Sequence, residues 1–237
     1  MLKLLELLSR RNEDTHDEAM TYWTQKHAAR AKQGNQARPL TRRYVNNVGL
    51  ATGYGGRTPF ATCPFDGIVE VWMDRTMTEL QQLMNSGASG VIPDERNFLR
   101  CPPYLMPVEE QVHKRDAATA RTKLMVLGNR PLGATRDEFV RRWREEHVPR
   151  ELEFWGERLI KLTTNVAAPF TWSEWGEQYS AFDGCAEYGF TIGADEVIAA
   201  YADYPDSLVA SQDACLGPTA RLFVREVVQI DTDPELG

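Results

Sequence analysis

Several things are scarce in this chain, and each scarcity excludes something. Positive charge is in deficit: 27 Lys and Arg face 34 Asp and Glu, a formal net charge of −7. A nucleic-acid binder carries a basic patch or stripe. Here the basic clusters Arg10-Arg11, Arg42-Arg43 and Arg141-Arg142 are short and scattered, so no nucleic-acid partner is expected. Cysteine is sparse and unpatterned. Cys63, Cys101, Cys185 and Cys215 form no C-x-x-C and no zinc-finger spacing, which points to free thiols in a reducing compartment. No run approaches the roughly 18 apolar residues of a membrane span. No basic stretch followed by an apolar core and a small-residue cleavage site opens the chain. A cytoplasmic protein without a membrane partner is the expectation. The four histidines, His16, His27, His113 and His147, make no H-E-x-x-H, so no metal is expected. Neither G-x-G-x-x-G nor a P-loop occurs, so no nucleotide cofactor is implied.

What the chain does have, it has twice. Trp23-x-x-x-His27 recurs as Trp143-x-x-x-His147, each residue displaced by 120 positions. Phe65-Asp66-Gly67-x-x-Glu70 recurs as Phe182-Asp183-Gly184-x-x-Glu187, displaced by 117, so only the intervening loop shortens. Two spaced motifs repeated in order indicate two versions of one unit of roughly 115 residues. The expected division is 1–111, a polar linker at 112–121, and 122–237.

Each unit carries the same grammar. A short apolar run, Lys3 to Ser9 or 123–128, reads as a strand by its length. Thr15-x-x-Glu18 and Thr135-x-x-Glu138 are capping boxes that open helices, expected over 16–33 and 136–150. Met20, Trp23 and His27 share one helix face. Further strands are expected at 44–48, 65–73 and 104–111, with a short helix at 78–85 and a polar connection from Ser86 to Arg100. The second unit gives strands at 160–167, 182–191 and 221–230 and a helix at 194–202. The order β-α-β-β-α-β is the ferredoxin-like split unit. Each such sheet has one face under its helices and one uncovered face. Two units facing each other bury both, giving a pseudo-twofold α+β barrel.

The K-L-L-x-L-L-x-R strand, the capped helix ending in Trp-x-x-x-His and the Phe-Asp-Gly-x-x-Glu strand resemble the EthD-like family of dimeric α+β barrel proteins. The resemblance covers nearly all of both units outside the linker and long loops. It implies a small-molecule cavity between sheet and helices and singles out the helix histidine, here His27 and His147. It also implies a range of chemistry on that fold: cyclisation, dehydration, decarboxylation, isomerisation, oxygenation and heme degradation. The units differ elsewhere. Arg43-Tyr44-Val45-Asn46 stands where the second has Leu162-Thr163-Thr164-Asn165, and Trp72 where it has Gly189, so equal activity of both sites is not expected.

The candidate catalytic residues are His27, His147, Tyr44, Asn46, Glu70 and Glu187. Histidine exchanges a proton near neutral pH, and Tyr or Asn can hold an enolate oxygen. The alternative for the histidines is a structural bond tying the helix end to a carbonyl or carboxylate. On a period of two, Glu70 shares a face with Asp66, Ile68 and Trp72, opposite Val69, Val71 and Met73. The apolar face should meet the helices. Glu70 and Glu187 then face the inter-sheet side, where each either orients a histidine or makes a buried ion pair with an Arg or His across the units. Candidate substrate-binding residues are Trp23, Trp143, Arg43, Asn47, Trp72, Tyr104, Tyr188 and Trp172. The aromatic-rich run from Ala167 to Ala181 is long enough to act as a lid or to pack on its own half.

The expected function is a cofactor-independent enzyme. It would use histidine acid/base chemistry on a small, apolar, aromatic or polyketide-like carbonyl compound, as a cyclase, dehydratase, isomerase or C–C lyase. The alternatives are a cofactor-free monooxygenase on the same class, or an accessory protein that binds a hydrophobic metabolite. A homodimer through the outer helices is compatible with either.

Overall fold

The computed structural model describes residues 1–50, 63–85, 92–169, 182–217 and 219–233. Its strands are β1 (Leu2–Leu8), β2 (Thr41–Gly49), β3 (Gly67–Met73), β4 (Tyr104–Arg115), β5 (Thr122–Gly128), β6 (Leu159–Ala167), β7 (Gly184–Phe190) and β8 (Thr219–Asp231). Its helices are α1 (His16–Thr21), α2 (Ala28–Ala37), α3 (Met77–Asn85), α4 (Ile92–Glu95), α5 (Arg136–Arg141), α6 (Val148–Trp155), α7 (Ala194–Ala202) and α8 (Asp206–Cys215). A π-helical stretch, Tyr22–His27, joins α1 to α2, and Arg142–His147 joins α5 to α6.

The strands close into one antiparallel barrel in the order β1-β3-β2-β8-β5-β7-β6-β4. Within the first half the order β4-β1-β3-β2 is that of the ferredoxin-like unit, and β8-β5-β7-β6 has the same connectivity in the second. The final strand of each half is long and shared. β4 pairs with β1 through Tyr104–Val108 and with β6 through Val108–Arg115. β8 pairs with β5 through Thr219–Val224 and with β2 through Val224–Asp231. Closure leaves no sheet edge exposed within this set of strands.

The mixed α+β barrel expected from the sequence is therefore the fold. Several boundaries differ. β4 continues to Arg115, because its second half finds a partner in β6, so residues 112–115 are paired strand. The first helical stretch runs to Ala37 and the second to Trp155. α4 lies inside what reads as a polar connection, and α8, between α7 and β8, has no counterpart among the expected elements. The Gly-rich loop from Ala51 to Pro59, Trp172 and most of the 167–181 run lie outside the described residues.

Both capping boxes form. Thr15 Oγ1 accepts from the Glu18 amide at 3.3 Å while Glu18 Oε2 accepts from the Thr15 amide at 2.9 Å. The equivalent distances at Thr135 and Glu138 are 3.2 and 3.0 Å.

The two repeated motifs meet in space. The Trp23 ring lies on the backbone of Gly67. A Cβ there would stand 2.5 Å from Trp23 Cζ3, and one at Gly184 would stand 2.5 Å from Trp143 Cζ3. Only glycine lets the indole seat so closely. The preceding aspartate closes the turn after the first strand of each half. Asp66 Oδ2 accepts from the Arg10 amide at 2.8 Å, and Asp183 Oδ2 from the Arg130 amide at 2.9 Å. Trp23 and Trp143 are wholly buried. Both candidates for a substrate wall are thus packed in the cores of their halves.

Candidate functional site

The strand alternation divides the candidate residues between two environments. Lys3, Leu5 and Leu7 of β1, Ile68, Glu70 and Trp72 of β3, and Arg43, Val45 and Asn47 of β2 face the barrel interior. Leu4, Glu6 and Leu8, Val69 and Val71, and Tyr44, Asn46 and Val48 face the helices. One end of the interior is apolar, built from Leu5, Leu7, Ile68, Met125, Leu127 and Cys185. The other is charged.

That charged end is a closed network. Lys3 Nζ lies 2.5 Å from Glu187 Oε1, 2.8 Å from Glu110 Oε1 and 3.1 Å from Glu70 Oε2. Lys123, its counterpart 120 positions on, pairs with Glu70, lies 2.8 Å from Glu226 Oε2 and stands 3.7 Å from Glu187 Oε2. Each lysine therefore joins a glutamate of its own half to one of the other. Asn47 donates to Glu70 at 2.7 Å and Asn165 to Glu187 at 2.8 Å. Burial alone would raise the Glu70 carboxyl, but Lys123, Lys3 and Lys161 hold it well below the usual carboxylate range. Glu187 is raised by burial and by Glu70, yet the same three lysines bring it below its ordinary value. Burial would lower both lysines. The surrounding carboxylates instead raise them.

Glu70 and Glu187 therefore lie at the centre of this network. They are ionised, fully buried members of an ion-pair network between the halves, and their partners are lysines, not an arginine or histidine. Three of the candidate substrate contacts lie at the same end of the interior. Asn47 is committed to Glu70. Trp72 donates to Glu110 at 3.3 Å with Lys3 Nζ 4.4 Å from its ring centre. Arg43 pairs with Asp231 at 2.9 Å. Tyr104 packs edge-on to Phe65 at the apolar end of the interior. Tyr188 stacks on Phe190 in the second half's helix-side core.

The helix-facing layers differ sharply. In the second half it is filled. Phe139, Trp143, Trp155, Tyr188, Phe190 and Tyr201 pack with Cys215 and Leu216 contributed by and after α8. His147 Nδ1 is 3.3 Å from Ser211 Oγ, while Nε2 lies 3.0 Å from Glu151 Oε1 without hydrogen-bond geometry. Glu151 accepts from Trp155 Nε1 at 2.7 Å and from the Tyr204 hydroxyl.

In the first half the layer is also packed, with Leu4, Leu8, Met20, Trp23, Val69 and Phe98 buried in it, but it includes a polar cluster around His27. His27 Nδ1 donates to Asp94 Oδ2 at 2.9 Å. Asp94 is a hub: its Oδ1 accepts from the Tyr22 hydroxyl at 2.9 Å and from Asn97 at 3.1 Å, and it pairs with Arg30. Burial and hydrogen bonds from Tyr22, His27 and Asn97 act oppositely on Asp94, and the bonds win, lowering it. Burial lowers the His27 imidazole, partly opposed by Asp94. With Nδ1–H given to Asp94, Nε2 is the basic nitrogen, and it has no hydrogen-bond partner among the described residues. Tyr44 and Asn46 sit on the sheet below. Burial raises the Tyr44 hydroxyl, reinforced by Glu6 and opposed by Trp23. The Asn46 amide is buried with neither its oxygen nor its nitrogen hydrogen-bonded. His27, Tyr44 and Asn46 are thus brought to one layer, while His147 lies in the other half.

Residues 11–100 match the family model of the EthD domain. The match spans the capped helix, the π-helical Trp23 and His27, β2, β3 and α4, that is, the half with the polar cluster. No curated protein matches the chain in sequence. Solved structures share its fold. An anthrone oxidase-like protein aligns over 98% of this chain and 94% of its own at 11% identity, with a TM-score of 0.62. A candidate monooxygenase from Lactobacillus acidophilus NCFM aligns over 98% and 96% at 8% identity, with a TM-score of 0.52. Another from Fusobacterium nucleatum aligns over 96% and 92% at 6%, with a TM-score of 0.51. At these identities the likeness is one of fold. Among the described residues no helix is long and apolar enough to cross a membrane.

Two residues of this layer escape the sequence reading. Asp94 lies in a short helix within an apparently polar connection. Glu6 hides inside an apolar strand.

Proposed function

We propose that the chain is an enzyme whose single site lies in the helix–sheet layer of the EthD half, with His27 as acid/base through Nε2. The observation that carries this reading is the contrast between the two histidines. His27 is oriented on one nitrogen by a carboxylate and keeps the other open, which is the arrangement a general base requires. His147 lies 1% exposed in a filled core, its Nδ1 facing a serine hydroxyl and no carboxylate orienting that nitrogen. The substrate is a small, largely apolar carbonyl compound, because the surroundings of His27 are apolar, with the Phe98 ring centre 5.2 Å from its own. Its carbon acid loses a proton to His27, and Tyr44 donates to the enolate oxygen that forms. Cyclisation, dehydration, isomerisation and C–C cleavage all begin this way.

A second reading is oxygenation of the same carbanion. It is suggested by the names of the anthrone oxidase-like and candidate monooxygenase neighbours. The test is a comparison of wild type, His27→Ala and His147→Ala with metabolite extract, followed by mass spectrometry and an oxygen electrode. Consumption lost in His27→Ala alone supports the proposal, and the mass change gives the reaction class. Equal consumption by all three refutes it. Retention of one compound by all three without turnover favours a binding protein.

A further inference from the structure

Each half has a space where its first helical stretch crosses the long strand borrowed from the other half, and the two spaces are built differently. In the second half the chain fills its own. Arg136, at the start of α5, pairs with Glu109 of β4 at 3.0 Å, and its Nε donates to the Ala167 carbonyl at 3.4 Å. Arg144, further along the same helical stretch, donates to Thr164 Oγ1 at 3.1 Å and to the Glu109 carbonyl at 3.0 Å. His113 Nε2 meets the same Thr164 hydroxyl at 2.8 Å. Two arginines, an imidazole and one carboxylate thus bridge helix to strand.

The first half has other residues at these points. The offset of 120 that relates Trp23 to Trp143 sets His16 where Arg136 stands and Thr24 where Arg144 stands. The strand register supplies the remaining member. Val48 is opposite Gly67 as Val166 is opposite Gly184, and Arg225 pairs with Val48 as Glu109 pairs with Val166. The acid of the second half is therefore an arginine in the first, and its arginine a histidine. Thr24 is far shorter than the arginine it replaces. What results is a groove of about 800 Å³, lined on the helix by His16 and Met20 and on the strands by Val48, Arg225 and Val227, with Lys32 further along α2. Gln229 crosses it, donating to the Thr24 carbonyl at 3.0 Å. The charged and titratable groups on its walls are His16, Asp17, Lys32 and Arg225. Asp17 lies 3.6 Å from His16 Nδ1, but its side chain is 98% exposed. His16 Nδ1 is buried without a hydrogen-bond partner. Among the described residues neither Lys32 nor Arg225 has an ion pair. Met20 and Val48 give the groove a buried apolar floor. His27, Asp94 and Phe98 are not among its walls.

We propose that this groove binds an amphipathic organic carboxylate, an apolar chain or ring bearing one anionic group, with that group held between His16 and Arg225. The ligand's carboxylate takes the place that Glu109 fills for Arg136 in the other half. A guanidinium presents a planar fork of donors that matches the two oxygens of a carboxylate. The apolar part lies along Met20, Val48 and Val227, in the direction of Lys32. The same space is thus shut by an internal ion pair in one half and left to an external anion in the other. Binding here is separate from proton transfer at His27 and stands whether or not His27 is catalytic.

The test uses the whole chain with octanoate as probe, octanamide as its uncharged counterpart and acetate as a carboxylate without the chain. Binding is followed by calorimetry and by the methyl signal of Met20 in methionine-labelled protein. Wild type should bind octanoate with movement of the Met20 signal, and should bind octanamide and acetate about tenfold more weakly or worse. Arg225 is exposed, so Arg225→Gln leaves the core intact. It should weaken octanoate about tenfold and leave octanamide unchanged. His16→Arg/Arg225→Glu, which rebuilds the ion pair of the second half, should abolish octanoate binding. Octanamide binding as tightly as octanoate overturns the proposal, as do unchanged octanoate affinity in Arg225→Gln, a Met20 signal that stays in place, or failure of wild type to bind octanoate. Acetate matching octanoate removes the apolar floor from the site and overturns it too.

Discussion

Replacing Lys3 with methionine tests the ion-pair network at its most demanding point. The ammonium is buried and lies within 3.1 Å of three glutamates. Methionine fills a similar volume, so the change isolates charge from packing. After it, Glu70 keeps Lys123, but Glu187 is left with contacts of 3.7 Å to Lys123 and 3.6 Å to Lys161. Removing one member of a buried ion pair costs about 3–5 kcal/mol. At about 2–4 °C per kcal/mol for a chain of this size, Tm should fall by roughly 10 °C. Urea unfolding at pH 7 gives the free energy directly. The pH dependence gives the mechanism. Glu70 and Glu187 have folded pKa values below their unfolded values. Their contribution is therefore full above about pH 4.3, the unfolded value, and is lost as pH falls through the folded values. In Lys3→Met, Glu187 loses its strongest partner, so its folded pKa rises and the variant's deficit shrinks in acid. Lys3→Met/Glu187→Gln should recover part of the loss at pH 7. A single variant within 1 kcal/mol of wild type at pH 7, or a deficit unchanged at pH 4, would refute the reasoning.

Gly67→Ala places a methyl 2.5 Å from the Trp23 ring and 3.0 Å from the Asn47 carbonyl. It should cost about 3 kcal/mol or more in urea unfolding, and Gly184→Ala about the same. Glu6 works in the opposite sense to Glu70. Its folded pKa of about 7 lies above the ordinary value of 4.5, so it does not destabilise below the unfolded value but weakens the fold as pH rises through 7. Glu6→Gln should match wild type at pH 4 and exceed it at pH 8 by up to about 3 kcal/mol, read from paired melts. Asp94→Asn should move the His27 proton from Nδ1 toward Nε2, visible in the nitrogen shifts of labelled histidine, and should lower turnover more than stability. His147→Gln should destabilise the chain without changing turnover.

The barrel was legible because its signals are periodic and repeated. Alternation along β3 put Glu70 on the inner face and Val69 and Val71 under the helices. Two halves with one uncovered sheet face each required a second sheet. The capping boxes marked both helix starts. The inner network was less legible, since Lys3 and Lys123 each open an apolar strand and read as boundary residues, although their 120-position spacing matched that of Trp23 and Trp143. Glu6 was lost for a similar reason: one acid in Leu-Leu-Glu-Leu-Leu does not alter the strand assignment, and only the alternation shows that it lies on the apolar side. Asp94 could not be found locally, because its partner His27 is 67 positions away. α8 has no apolar stripe over Asp206 to Cys215, so it reads as a connection. Tyr44 and Asn46 were assigned to catalysis and Arg43 and Asn47 to substrate binding at one site, whereas alternation along β2 places the two pairs on opposite faces.

The crossing of β4 and β8 between the two halves has a consequence for how this molecule can vary. A barrel assembled from two identical subunits presents every substitution twice, once in each cavity, so a change that fills one fills the other. Here a single chain supplies both sides. Val126 can stand opposite Glu6, and Leu162, which the strand register rather than the sequence alignment sets against Tyr44, can stand opposite it without any loss of closure, because the shared strands and the lysine–glutamate lattice hold the ring whichever side chains face the helices. The densely packed half can then serve as ballast, its aromatic core contributing stability that offsets an unsatisfied amide and a stranded carboxyl across the barrel.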